Sequence, residues 1–233
     1  MFKRGLADVG KSLPKSASNR TFDFWLNYEE MADIIFLDSY ENVPFDVVHP
    51  LFFDKTQHLV ACGKAAGDDC PICDYLDSLP KDATDKPYRR EMAFFSVLDL
   101  RPYEKEDGTV IPVTKKLLKA SKQTVGSIQQ EMNMSSIEEL YGTLWKVGRG
   151  KNAMPKPAAV GNSFRYLRSA DLDRLVEQTG DESLVMPVAI EELDKMIIRD
   201  PETAMQTFQS FLESKGESQA RKATGFSATK LNI

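Results

Sequence analysis

Four residues of this chain have the types and spacing to hold a metal ion. His49 is followed thirteen residues later by Cys62, and then by Cys70-Pro71-Ile72-Cys73; all three cysteines lie within twelve residues. A Cys3His set is a closed tetrahedral Zn2+ site, with three thiolates, one imidazole and no open position for a substrate. Its chemistry is structural, because binding energy at such a site is folding energy. The Cys70–Cys73 turn is the most specific part, since two thiolates three residues apart can clasp one ion. A redox dithiol is the first rival, but it needs a βαβ setting that the surrounding pattern lacks. A zinc deaminase is the second. There Leu51 stands where a His-x-Glu glutamate is required, and Asp69 rather than proline precedes Cys70.

The spacing favours His49 over His58 as the nitrogen ligand. Residues 43–49 and 58–62 are apolar and β-branched, with the polar Asp54-Lys55-Thr56-Gln57 between them. A hairpin closed around Lys55-Thr56 sets 53 opposite 58 and 49 opposite 62. Directly opposed residues have Cβ atoms about 4.5–5.5 Å apart, which suits two ligands of one ion. His58 shares a strand with Cys62 and lies about 13 Å from it at roughly 3.3 Å per residue.

The remaining chemistry is cationic and aromatic. The net charge of -5 conceals a sharp asymmetry. Residues 1–20 carry five Lys/Arg against one Asp, 21–80 two against twelve acids, and 81–168 sixteen against ten. Residues 169–217 carry four against twelve, and the last sixteen residues carry three Lys/Arg and no acid. A basic middle between acidic flanks suits a polyanion-binding face. Single-strand binders combine a basic groove for phosphates with aromatic faces for bases, and the basic middle interleaves both. Arg89 and Arg90 lead into Phe94 and Phe95, of which strand alternation turns one outward. Tyr103 lies near a hairpin tip. Lys115, Lys116, Lys119 and Lys122 form a stripe. Trp145, Lys146, Arg149 and Lys151 surround a glycine-rich loop, and Arg165 and Tyr166 follow it. The loop Gly148-Arg149-Gly150-Lys151 is no phosphate-binding P-loop, because Asn152 follows the lysine and the longer spacing is missing. With His58 as the only other histidine, no Ser/His/Asp set can be assembled, so no enzyme is expected.

The elements that must position these residues give an α+β, mainly β chain. Strands are expected at 21–26, 32–37, the two arms of the zinc hairpin, 92–100, 109–113, 143–147 and 163–167. The Asp107-Gly108 pair marks a hairpin turn. Residues 114–132 change period, with Leu117, Leu118, Val125, Ile128 and Met132 on one helical stripe. Ser135-Ser136-Ile137-Glu138 signals a second short helix. Further helices are expected from Ser169 to near Gly180, near 190–198, and from Asp200-Pro201 to Lys215, the last with Pro201 at its first position and Gly216 just past its end. This pattern fits an OB-type small barrel over 21–168 with an inserted zinc-binding subdomain at about 43–80. A helical C-terminal region follows at 169–216. A basic arm at 1–20 and a tail at 217–233 flank it. Met1-Phe2-Lys3-Arg4-Gly5 lacks the apolar stretch of a signal peptide, and no run of about 18 apolar residues could span a membrane. Three cysteines with ligand spacing rather than an even disulfide set suit a reducing compartment. The expected location is cytoplasmic, in the host cell if the chain is phage-encoded.

These residues resemble the T4-type bacteriophage single-stranded DNA-binding (helix-destabilising) proteins. The resemblance runs through the Met1-Phe2-Lys3-Arg4 start, the His49-x12-Cys62 spacing and the Cys70-Pro71-Ile72-Cys73-Asp74-Tyr75 knuckle. It continues through Arg89-Arg90 ahead of the 94–100 strand and the Asp107-Gly108 hairpin before a Lys-rich segment. It spans roughly residues 1–168. It implies an OB fold, cooperative and sequence-independent coating of single-stranded DNA in replication, recombination and repair, self-association along the strand through Lys3 and Arg4, and replication and recombination proteins as partners. The chain departs from the family at Gly5-Leu6, in a shorter gap between Cys62 and Cys70, and in the end Lys230-Leu231-Asn232-Ile233, which is not acidic. The competing expectation is a zinc-ribbon adaptor that binds protein rather than DNA. A metal-dependent nucleic-acid enzyme is disfavoured by the closed ligand set.

Overall fold

A computed structural model describes residues 23–80, 86–150 and 162–216. The basic arm with Lys3 and Arg4, residues 81–85, the segment 151–161 with Lys151, and the tail 217–233 lie outside the described residues. The chain divides into two compact units. One takes the residues up to Asp46 and Glu91–Lys195; the other takes Val47–Arg90 and the residues from Met196 onward. The stretch 169–216 is therefore shared between the units.

In chain order the strands are β1 (Met31–Phe36), β2 (Phe45–Phe53), β3 (Thr56–Ala61), β4 (Arg90–Asp99), β5 (Tyr103–Glu104), β6 (Val110–Ile111), β7 (Thr114–Ser121), β8 (Thr143–Gly148), β9 (Ser163–Ser169) and β10 (Ile197–Ile198). The helices are α1 (Gly63–Ala66), α2 (Pro71–Ser78), α3 (Lys122–Met134), α4 (Leu172–Thr179), α5 (Ile190–Asp194) and α6 (Pro201–Ser214). Pairing is mixed: β10 runs parallel to β3, whereas β1–β4, β1–β8, β2–β3, β4–β7, β5–β6 and β8–β9 are antiparallel.

In the first unit the strands follow the order β7-β4-β1-β8-β9. β7 and β9 do not pair among the described residues, so the sheet is not closed; α3 packs against both. One face carries a core of Phe24, Leu26, Ile34, Phe36, Phe95, Leu118, Ile128, Trp145 and Val147. Phe36 meets Phe95 and Trp145 edge to face, at ring separations of 5.5 and 5.6 Å. The indole Nε1–H of Trp145 donates to Thr143 Oγ1 at 2.8 Å, so the ring is buried without an orphaned donor. Ile35, Leu37, Leu98 and Leu144 face the other way, against Leu172 and Leu175 of α4. Covered on both faces over Ile34–Phe36 and Phe94–Asp99, β1 and β4 read as near-continuous apolar runs there, while the start of β1 stays open to solvent at Met31 and Asp33.

Four expected elements need correction. Residues 23–26 are not a strand but hold a single bridge, Asp23 to Leu117. Residues 114–121 are strand, not helix, because eight consecutive residues pair with β4 from Met92↔Ser121 to Asp99↔Thr114. Lys, Leu and Ala favour a helix locally, and the long-range ladder overrides them. The helix starts only at Lys122, where the Ser121 side chain accepts from Thr124 N. Ser135-Ser136 ends that helix rather than starting another. Ser136 sits at φ 52°, and Ile137 N donates to Met132 O at 2.9 Å, the six-to-one bond of a Schellman stop. The helix expected near 190–198 covers only Ile190–Asp194, and Ile197–Ile198 pair with β3.

In the second unit β2 and β3 form a hairpin with register Phe53↔Thr56, Leu51↔His58 and His49↔Val60. Its turn is Asp54-Lys55, with φ of 49° and 62°, the two positive values of a type I′ turn that matches strand twist. The expected register is therefore off by two. A shift of two preserves which face each side chain occupies, so His49 and Cys62 still share a side, as diagonal rather than opposed neighbours. α6 starts as expected: Asp200 Oδ2 accepts from Thr203 N at 2.8 Å, Pro201 takes the first position, and Gly216 lies at φ 71°.

Candidate functional site

The ligand atoms of His49, Cys62, Cys70 and Cys73 all lie within 4.8 Å of one another, and all four residues are buried. Cys62 Sγ is 3.6 Å from Cys73 Sγ, and His49 Nε2 is 3.3 Å from Cys70 Sγ and 3.5 Å from Cys73 Sγ. Atoms bound tetrahedrally at about 2.3 Å are about 3.8 Å apart, so the cluster already has nearly the dimensions of one ion's coordination shell. The donor set fits: these four residues can hold a metal ion such as zinc.

Each ligand is placed by its local structure. His49 comes from β2, and its Nδ1 lies 3.2 Å from Tyr88 O. A carbonyl can only accept, so Nδ1 carries the proton and Nε2 turns its lone pair to the sulfurs, the usual way an outer partner sets a ligand histidine. Cys62 directly follows β3, and its N–H donates to Val47 O at 2.9 Å. Cys70 caps α2, with Pro71 as the first helical residue. Gly63 is the residue that sequence reasoning missed. A Cβ there would meet Asp69 O at 2.3 Å and Cys70 Cβ at 3.4 Å, so only glycine lets the two ligand-bearing segments approach. A glycine directly after a ligand cysteine was the available signal. Lys64 then ties α1 to α2 through Asp74 at 3.0 Å and Asp77 at 2.8 Å.

Burial works against charging Cys70. The hydrogen bond with His49 and backbone N–H groups of Cys73 and Gly63 outweigh it and hold its thiol below the ordinary range. Burial, with Cys62 and Cys70 as hydrogen-bonded neighbours, pushes Cys73 up. The two thiols are thus pushed in opposite directions, and a bound cation would favour the ionised form of both. His58 stays out of the cluster: its ring stacks on Phe53 at 4.3 Å, and burial lowers its pKa.

The expected cationic and aromatic residues divide sharply. Phe94 and Phe95 are both buried, because both faces of β4 are covered, and Trp145 is fully buried. None of these three presents a ring to solvent. Lys115 Nζ donates to the carbonyls of Ser183 and Met186 at 2.6 and 2.9 Å. Lys119 Nζ pairs with Asp23 Oδ2 at 2.7 Å. Burial lowers the pKa of both Lys115 and Lys116. The supposed lysine stripe is thus largely engaged in holding the fold. Tyr103 is half-buried on β5, and Tyr166 is half-buried with its ring 6.0 Å from that of Trp145.

Other members are in solvent. Lys146 and Arg165 are exposed and sit directly opposite each other across β8 and β9. Lys146 also pairs with Asp33 of β1 at 3.1 Å. Arg149, just past β8, places its guanidinium carbon 4.7 Å from the Trp25 ring centre and 4.4 Å from that of Tyr28. In the second unit Arg89 and Arg90 are exposed, with Arg90 over the Tyr88 ring at 4.7 Å. No helix among the described residues is long and apolar enough to cross a membrane. No protein-family model matches the chain and no curated protein matches it significantly, so the reading of the site rests on its own geometry.

Proposed function

We propose that this chain is a non-enzymatic, zinc-containing protein of the T4 phage type that coats single-stranded DNA without sequence specificity. On this reading it acts in replication, recombination and repair in the host cytoplasm, associating with itself along the strand and with replication and recombination proteins. The first unit is read as an OB-type barrel. Its strands run β1, β4, β7, then helix α3, then β8 and β9, and pair in the order β7-β4-β1-β8-β9. That is the path of a partly open five-stranded Greek-key barrel, with α3 spanning the gap between the third and fifth strands.

The observation that carries the reading is the solvent face of β1, β8 and β9. Like charges directly opposed on adjacent strands are destabilising, yet Lys146 and Arg165 face each other with Asp33 beside Lys146 as the neighbouring carboxylate. Asp33 already offsets Lys146, and a phosphate lying across the pair would offset Arg165 as well. The second unit supplies a metal-closed lobe rather than a reactive centre, since three thiolates and an imidazole complete a tetrahedral shell.

Anisotropy of a labelled oligo(dT) across a salt series tests this. Binding should weaken steeply with salt, each neutralised phosphate contributing a slope of about -0.7 on single strands. A Lys146→Ala, Arg165→Ala variant should flatten that slope. Absence of binding at low salt, as a protein–protein adaptor would show, or an unchanged slope in the variant, sinks the proposal.

A further inference from the structure

Residues 24–30 have no regular strand or helix, yet they are pinned along their length. Phe24 N donates to Leu117 O at 2.8 Å. Arg101 grips Asp99 with Nε and Nη2, reaches Trp25 O with Nη2 at 3.0 Å, and pairs with Glu30 through Nη1. Arg149 Nη1 donates to Leu26 O at 2.8 Å, and the backbones of Arg149, Glu29 and Glu30 exchange bonds of 2.7 and 3.0 Å. Glu29 is held at φ 65°, a left-handed conformation uncommon for a non-glycine residue. Strained, over-determined backbone of this kind is concentrated at ligand sites.

What this scaffold holds outward is aromatic. Phe24 and Leu26 are buried, whereas Trp25 is 57% exposed and Tyr28 60%. Fixing two large rings in water gains little burial for the fold. Both rings share one cation, since Arg149 lies within 4.7 Å of each ring centre. Arg149 directly follows β8, the strand that carries Lys146. Aromatic rings beside a cation are the elements that unpaired bases and their phosphates require.

We infer that Trp25 and Tyr28 form a stacking subsite for unpaired nucleobases, with Arg149 between base and backbone and Arg101 as the positioning residue. The inference rests on the nucleic-acid reading of the β1-β8-β9 face and adds what that face lacks, a means of telling bases from bare phosphates and single strands from duplex. Paired bases are stacked inside the helix and cannot lie on these rings.

The test compares three labelled probes by anisotropy: oligo(dT), an abasic oligonucleotide of equal length, and a duplex. Wild-type protein should prefer oligo(dT) over both. Replacing each ring by alanine should cost roughly tenfold on oligo(dT), within the range of base–aromatic stacking. Affinity for the abasic probe and the salt slope should not change. Trp25→Phe should keep most of the affinity. Arg101→Gln should weaken oligo(dT) binding with the salt slope intact, because it touches no phosphate, whereas Arg149→Ala should change both. Unaltered melting and metal content would confirm that the exposed-ring variants are folded. Equal wild-type binding of oligo(dT) and abasic probe, or an indifferent Trp25→Ala, Tyr28→Ala variant, overturns the subsite while leaving the phosphate face standing. Failure to bind any probe removes both.

Discussion

Where the first unit buries Trp145, Phe36 and Phe95 edge to face, the second buries three cysteines and a histidine. The first can be held by apolar surface removed from water. The second unit's core joins Leu51, Val60, Ile72 and Tyr75 to Phe208, Phe211 and Leu212 of α6, and the cysteines are themselves part of it. Small cores seldom suffice without a covalent or metal staple. A buried thiolate without a cation carries a heavy desolvation cost. The contrast sets two routes to order side by side: packing in one unit, and in the other a buried ligand set that can add coordination of a metal ion.

Removing the ion should produce the largest effect and should divide the units. Chelation withdraws coordination energy on the order of 10 kcal/mol in zinc-dependent folds, and Cys70→Ser removes a part of it. Amide hydrogen exchange should then accelerate across β2, β3, α2 and α6, while β1, β4 and β8 keep their protection. Uniform acceleration in both units would erase the distinction. The reciprocal experiment is Trp145→Ala. Deleting a fully buried indole should lower stability by about 3–5 kcal/mol in chemical denaturation, with bound metal still near one ion per chain. Loss of metal from that variant would show that the first unit's core sustains the second's ligands.

Gly63→Ala should give the smallest effect and sharpens the comparison inside the metal lobe. The added methyl forces Asp69 and the start of α2 away from Cys62. Metal affinity should fall roughly 10- to 100-fold, as for other changes just outside a ligand shell. Competition with a chromophoric chelator measures it, and unchanged affinity would mean that the two segments can separate without disturbing the ligands.

The ligand set was legible because it is local and chemically specific: His49 to Cys73 is one short span with few alternative meanings. Its hairpin register was not, because Asp54-Lys55 adopts a type I′ turn without the glycine that usually announces one. The shift of two left every side chain on its expected face. β7 misled for a different reason. Lys115-Lys116-Leu117-Leu118-Lys119-Ala120 carries helical propensity, and its strand state comes from β4, whose pairing no local window displays. Depth was equally hidden. Trp145 beside Lys146 looks like a stacking platform, but it faces Phe36. Trp25 and Tyr28, set in an apolar run with Phe24 and Leu26, carry no local sign that they face water while those two are buried.

The chain order of the second unit has a consequence for its synthesis. All four metal ligands are complete once Cys73 leaves the ribosome, but Phe208, Phe211 and Leu212, which cover them, are made much later. At roughly 5–20 residues per second, the thiols wait on the order of ten seconds for their apolar cover. An ion captured early would latch the hairpin to α2 throughout that interval, so a metal-poor medium during translation would leave the thiols exposed for longest.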